Sequence, residues 1–451
     1  MTPDDAELGA LARSYLDRQS WFQLTVPGAR LDEIELVRAE MLREEPLPLC
    51  RLLLRCRARH FSVFAGWRDV TAAAQALHGR EGAIFGSAAG DRGSVLVYDA
   101  LADDELALEL FVRATGGREA ARRVRPLTTA VSHASLVYDG RYLMKCYRVL
   151  EDAVRPELEV MMQLDAVGFN AILAPVAAWA ADGFDLALVR EYLPSALEGR
   201  VLALTSLRDL LARVSGYDRA DAGMARVEPG LAAEPAAAVA TAGGDLASEM
   251  RRLGTTAARL HLALAEAFGT SEIGPGSLAD ELAAIATGAP AGGRAAKDDR
   301  TTALVARVRA LDPGGAGLAI RVHGDFHLRR VMRGETGWIV VGFGDDPLYA
   351  DSLPSLRPRS GTPIEDLADM WFSIDRVARE ALAQRPPAEL EPAGALAREW
   401  VVRNRRAFLA GYLATDDVAR LLPADAGVVE GLLAVLTAAR EHGHRTAASG
   451  R

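Results

Sequence analysis

Two hydrophobic rhythms divide the chain. Through the first 195 residues the apolar positions come in short runs, many ending in turn residues. Leu49–Cys56, which begins just after Pro48, and Gly93–Asp99 read as strands, while residues 105–114 repeat at a helical period. Residues 134–138 and 142–147 flank Asp139-Gly140, a pair that tolerates positive φ and so predicts a two-residue hairpin turn. A helical pattern follows Arg155-Pro156 and runs through Glu159, Met162 and Leu164. Another strand pair, 172–179 and 186–192, is split by Ala181-Asp182-Gly183.

From about residue 200 the helical period prevails. Residues 245–267 form an amphipathic helix with Met250, Leu253, Ala257, Leu260 and Leu264 on one face. The Ala/Gly/Pro-rich stretches 229–244 and 287–297 read as flexible loops. Residues 320–341 read as strand, polar loop and strand, and the rest is helical as far as a polar tail, 441–451, expected to fray. This order predicts an α+β fold of two-lobed, protein-kinase-like type. Residues 1–120 form an N-terminal α/β cap, 121–195 a β-rich lobe with one helix, and 196–451 a helical lobe.

Composition narrows the function classes. The 451 residues are 50% hydrophobic and 25% charged, enough for a sizeable core. Charged residues and glycines break every apolar stretch before the ~18 residues a spanning helix needs. The opening Met1-Thr2-Pro3-Asp4-Asp5 lacks the basic-then-apolar order of a signal peptide. The three cysteines, Cys50, Cys56 and Cys146, have neither disulfide-framework nor zinc spacing, so a reducing cytoplasm is expected. A net charge of −9 argues against nucleic acid as partner, and the basic cluster 118–125 reads as a solvated helix face.

Candidate chemistry centres on Arg321-Val322-His323-Gly324-Asp325-Phe326-His327-Leu328, an aspartate in a polar loop after an apolar strand. Phosphoryl transfer to a hydroxyl needs one carboxylate to orient the acceptor and take its proton, and Asp325 is the candidate. Lys145, in the strand after the hairpin turn, and Glu159, on the next helix, are the candidate phosphate-binding lysine and its carboxylate partner. Ser132 and Ser135 offer hydroxyls to phosphates from a glycine-free loop. Arg190-Glu191-Tyr192-Leu193-Pro194 follows a strand and precedes the helical region, so Glu191 and Leu193 are candidates for holding a nucleobase through backbone groups.

The ordered set resembles the bacterial maltokinases, relatives of the aminoglycoside phosphotransferases with a related glucosamine kinase branch. It comprises Trp21-Phe22, 132–135, 142–145, Pro156-Glu157-Leu158-Glu159-Val160, 190–194, 257–263, 321–328, Thr362-Pro363-Ile364-Glu365-Asp366-Leu367-Ala368 and 408–412. The resemblance implies ATP and Mg²⁺ as cofactors, a sugar or amino sugar as acceptor, and a cleft lined by Lys145, Glu159, Glu191 and Asp325. It also implies Asp366, Trp371, Asp375 and His327 as acceptor contacts.

The chain departs from that pattern where the metal is held. The family's Gln or Asn five residues beyond the catalytic Asp is Arg330 here, and the Asp of its later Asp-Phe-Glu segment is Gly342. Neither side chain can ligate a cation. His133 replaces a position that is usually Asn, and Glu365 stands where the family often has a basic residue. Asp345 and Asp346 are candidate substitute ligands, and Arg330 a candidate for part of the metal's charge role. The rival expectation is a non-catalytic pseudokinase that binds a protein partner, such as an enzyme of α-glucan or trehalose metabolism.

Overall fold

The structure is a computed structural model that describes residues 3–90, 93–129, 133–151, 156–220, 246–287, 299–343 and 360–449. Among these, one compact unit holds residues up to 162 together with 173–194. The other holds 163–172, 195–343 and 360–449.

In the first unit, β1 (Ile34–Arg43), β2 (Leu49–Cys56), β3 (Arg59–Asp69), β4 (Ile84–Gly90) and β5 (Gly93–Asp99) form an antiparallel sheet in the order β1-β2-β3-β5-β4. Side chains alternate across a strand. Leu52, Leu54, Phe61 and Val63 therefore enter one core, with Leu8 and Leu16 of the helix Asp5–Asp17 and Phe22 of Ser20–Thr25. Leu49 and Phe64 enter another core on the opposite face. There they meet Leu106, Leu110 and Phe111 of the helix Asp104–Ala114, whose start is fixed by Asp103 accepting from the Glu105 and Leu106 N–H groups.

A second sheet closes that core. It contains β6 (Val124–Thr129), β7 (His133–Tyr138) and β8 (Tyr142–Tyr147); the short β9 (Val149–Leu150) pairs with β3 instead. With β10 (Pro175–Ala181) and β11 (Phe184–Glu191) its order is β10-β11-β8-β7-β6. The hairpin turns as expected: Asp139 and Gly140 take φ of 49° and 69°, and Ser135 lies opposite Lys145. Alternation sends Leu136, Tyr138, Met144 and Val189 into the core. It leaves His133, Ser135, Lys145, Tyr147, Leu188 and Arg190 on the other face, which carries the first candidate site.

The structure corrects several element boundaries. Residues 172–174 lie outside β10, because the two-residue turn is Asp182-Gly183 (φ 54° and 81°), which sets the strands at 175–181 and 184–191. Residues 118–123 are not a helix face: Gly116 and Gly117, at positive φ, close the helix Asp104–Ala114 before them. The C-terminal helix Ala426–Ser449 continues through the tail expected to fray. The loops predicted at 229–244 and 287–297 lie outside the described residues, except for Thr287, which ends the helix Pro275–Thr287.

The second unit is built on helices. Ala247–Phe268 and Leu390–Leu413 approach so closely that Gly254 meets the Phe408 carbonyl and Gly411 meets that of Arg251. Ile364–Ala383 packs on Leu390–Leu413, and Ala426–Ser449 packs on Ile364–Ala383. Two small sheets complete the unit. One joins β12 (Leu197–Glu198), β15 (Val331–Arg333) and β16 (Trp338–Val340); the other joins β13 (Thr270–Glu272), β14 (Leu318–Arg321) and β17 (Ser360–Gly361). Among the described residues no helix is long and apolar enough to cross a membrane. The three cysteines are unpaired and buried.

Candidate functional site

On the face of the second sheet opposite its core, Lys145 Nζ donates to both oxygens of Glu157, at 2.8 and 2.9 Å. This corrects the expected pairing with Glu159. The helix Pro156–Ala166 turns about 100° per residue, so Glu159 points about 200° away from Glu157 and is exposed. Burial pushes the Glu157 carboxyl up, but Lys145, then Arg190 and His133, outweigh it and hold it down at about 2. Arg190, two residues along from Leu188, which faces Lys145, has its Nε buried without a partner. Among the described residues the face therefore sets Lys145 and Arg190 beside the ionised Glu157, a fit for a phosphate-bearing ligand.

Ser135 stands opposite Lys145 on β7, whereas Ser132 lies outside the described residues. The segment expected to hold a nucleobase spends backbone donors internally. Glu191 N–H donates to Ala174 and Tyr192 N–H to Arg141. Glu191 is exposed at the end of β11, and Leu193 is half-buried.

In the second unit the loop after β14 is held from beneath by Asp366. This carboxylate is fully buried at the start of the helix Ile364–Ala383 and accepts from His323 N–H at 2.8 Å and Gly324 N–H at 2.9 Å. Its Oδ2 also meets His261 Nε2 at 3.1 Å, and His261 Nδ1 meets the Tyr412 hydroxyl at 2.8 Å. Asp366 is thus corrected from acceptor contact to loop anchor, since a carboxylate with no exposed surface and three donors has nothing left for a ligand. His323 accepts from Asp325 N–H at Nδ1 and faces the Val341 carbonyl with Nε2. That arrangement suits a neutral ring, and burial lowers its pKa to about 4.

Asp325 is mostly buried, yet ionised. Burial raises its carboxyl, while the hydrogen bond and charge of His327 and then Arg330 bring it down to about 2. His327 Nε2 lies 3.3 Å from Oδ1, so this residue serves Asp325 rather than standing apart as an acceptor contact. Arg330 donates to Oδ2 through Nε at 2.9 Å and Nη2 at 2.7 Å.

Gly342 explains how Arg330 fits. A Cβ built on Gly342 would fall 2.5 Å from Arg330 Nη1, 2.8 Å from Cδ and 3.1 Å from Cζ. Gly342 also sits at φ +79°, a left-handed conformation costly for any other residue. The guanidinium thus fills the volume a ligand-bearing side chain at 342 would need, and it brings positive charge against Asp325. These residues do not fit a divalent cation. No group of three or more His, Cys, Asp or Glu suited to a metal occurs among the described residues, and Asp345 and Asp346 lie outside them.

The remaining acceptor candidates cluster around Arg405. Its guanidinium lies over the Trp371 ring, 5.1 Å from the centroid, and Nη2 donates to Asp375. Burial raises the Asp375 carboxyl to about 6 against the pull of Arg405. Nearby Asp369 is raised to about 7 by burial, while Arg440, at 2.6 Å, opposes the shift. The indole N–H of Trp371 is buried and unpartnered.

Sequence reasoning missed Glu157, the anchoring role of Asp366, and His261. A signal for His261 existed, because position 261 continues the apolar face of its helix four residues after Ala257.

No protein-family model matches the chain. It is 30% identical over 240 residues to a glucosamine kinase of Streptacidiphilus jiangxiensis, an alignment taking in 51% of this chain and 46% of that enzyme. The match therefore spans less than half the length of that curated relative. Among solved structures, a glucosamine kinase in complex with glucosamine, ADP and inorganic phosphate covers 98% of this chain and 94% of its own. Its TM-score is 0.56 at 23% identity. A second crystal form of a glucosamine kinase gives the same TM-score and identity, covering 97% of this chain and 93% of its own. The chain therefore has the α+β, kinase-like fold of the glucosamine kinase structures.

Proposed function

We propose that this protein is a phosphotransferase that moves the γ-phosphoryl group of a nucleoside triphosphate, ATP first among them, to a hydroxyl of a sugar or amino sugar. One observation carries the reading: Asp325 is kept ionised on a loop that buried Asp366 pins by two backbone N–H groups. A carboxylate so fixed can orient an acceptor hydroxyl. The acceptor oxygen bonds to the γ-phosphorus and passes its proton to Asp325 as the bond to the β-phosphate oxygen breaks, leaving ADP. Lys145, ordered by Glu157, suits the phosphates. The ligands of the glucosamine kinase structure, glucosamine and ADP, support an amino-sugar acceptor and an adenine nucleotide. The maltokinase-like motifs keep maltose on the acceptor list.

A second reading rests on a different observation. Arg330 and His327 occupy both oxygens of Asp325, and a base held at about 2 is poorly matched to proton transfer near neutrality. That favours a pseudokinase that binds a protein partner. Acceptor-dependent ADP formation decides between them, measured over glucosamine, maltose and aminoglycosides with an Asp325→Asn control. Turnover lost in the variant supports the enzyme. No ADP above background with any acceptor refutes it.

A further inference from the structure

Arg330 and Gly342 behave as one device. The arginine is not a surface side chain that happened to swing inward: only 6% of its side chain is exposed. Its backbone is fixed on both sides, with Arg330 N–H donating to His327 at 2.7 Å and Val341 N–H donating to the Arg330 carbonyl at 2.9 Å. The side chain runs through the space vacated at Gly342 and ends on Asp325. A cation approaching Asp325 Oδ2 would have to displace two charge-assisted hydrogen bonds and sit against a fixed positive charge. Among the described residues, the carboxylates nearby offer no replacement. Asp366 is saturated by His261 and two backbone donors, and Asp369 is held by Arg440.

We infer that the guanidinium of Arg330, seated against Gly342, is a built-in cation that takes the place of a divalent metal, so that this protein binds the phosphates of its nucleotide metal-free. The inference rests on the nucleotide binding proposed above and deepens it. A guanidinium is a planar, permanently charged donor, suited to phosphate oxygens, and it needs no cation from solution. Gly342 is the enabling residue, since any larger one closes the seat.

The test is calorimetric titration of the full chain with ATP, in EDTA and then in excess Mg²⁺, for the natural protein, Arg330→Gln and Arg330→Lys. Circular dichroism is recorded for each to confirm folding. The expected result is affinity equal within about twofold with and without Mg²⁺. Loss of about tenfold or more of the EDTA affinity is expected in Arg330→Gln, with partial retention in Arg330→Lys. Affinity of the natural protein rising about tenfold with Mg²⁺ overturns the inference, as does a folded Arg330→Gln that binds ATP in EDTA like the natural protein. Absence of ATP binding in both conditions overturns it as well. Phosphoryl transfer is scored separately. Metal-free binding without turnover leaves this inference standing while the enzyme reading falls, and turnover with Mg²⁺-strengthened binding does the reverse.

Discussion

Lys145 is clasped by Glu157, not Glu159: both Glu157 oxygens lie within 2.9 Å of Nζ, and each partner keeps only about a seventh of its side chain exposed. Removing one member of a buried pair strands the other's charge. Glu157→Gln should therefore cost roughly 3 kcal/mol in urea unfolding at pH 7, while exposed Glu159→Gln stays within about 0.5 kcal/mol. The pH dependence has a fixed sign. The folded carboxyl is depressed from 4.5 to about 2, so its contribution is complete above about 4.5 and is lost as pH falls toward 2. Equal effects of the two substitutions would refute the assignment.

Arg330 and Gly342 should be energetically coupled. Gly342→Ala places a methyl group into the guanidinium and forces a left-handed alanine, a combined cost of about 2–4 kcal/mol. In an Arg330→Ala background the overlap disappears and only the backbone strain remains. The double-mutant cycle should then show a coupling of about 1–2 kcal/mol in denaturant unfolding. Additive costs would mean that the guanidinium moves aside freely.

Legibility in the sequence followed locality. The Asp139-Gly140 hairpin was readable because a two-residue turn at positive φ is written in two adjacent residues. Lys145 and Asp325 were singled out by motif order, and Arg330 and Gly342 as departures from it. Their mutual fit was not, because residues 330 and 342 meet only when the chain folds back between them. Glu157 and Glu159 share a helix turn, and the choice depends on which side of the helix meets the sheet. Asp366 was read as a ligand contact because an acidic residue in a motif looks alike whether it faces a ligand or, as here, a buried loop backbone. The helix at 441–449 was missed because a polar tail gives no amphipathic period to recognise.

His323 should make the protein acid-sensitive above the carboxylate range. Burial depresses its folded pKa from 6.5 to about 4, against the neighbouring charges of Asp366 and Asp325 and with that of Arg330. A depressed folded value means the stability is complete above about 6.5 and is lost as pH falls toward 4, amounting to roughly 3 kcal/mol. Asp369 and Asp375, raised to about 7 and about 6, act in the opposite direction, so the comparison is the natural protein against His323→Asn, where their contributions cancel. The variant should be less stable at pH 7 yet flatter between pH 6.5 and 4. Imidazole NMR should show one neutral ring with its proton on Nε2 that titrates only near pH 4. A ring titrating near 6.5 would place His323 in solvent.

Gly411 tests the scaffold behind the loop. A Cβ there would overlap the Arg251 carbonyl on the facing helix, and backbone cannot rotate away as a side chain can. Gly411→Ala should therefore cost about 3 kcal/mol despite the better helix propensity of alanine. It should also disturb Tyr412, whose hydroxyl begins the chain of contacts through His261 to Asp366 and the His323 backbone. Gly443 is the matched control: it lies in the helix Ala426–Ser449 with open space around its missing Cβ, so Gly443→Ala should be neutral or stabilise by up to about 1 kcal/mol. Opposite signs for the two glycines in thermal unfolding would locate the helix contact at Gly411. A tolerated Gly411→Ala would mean that the two helices part easily, and the link from Tyr412 to the Asp325 loop would lose its support.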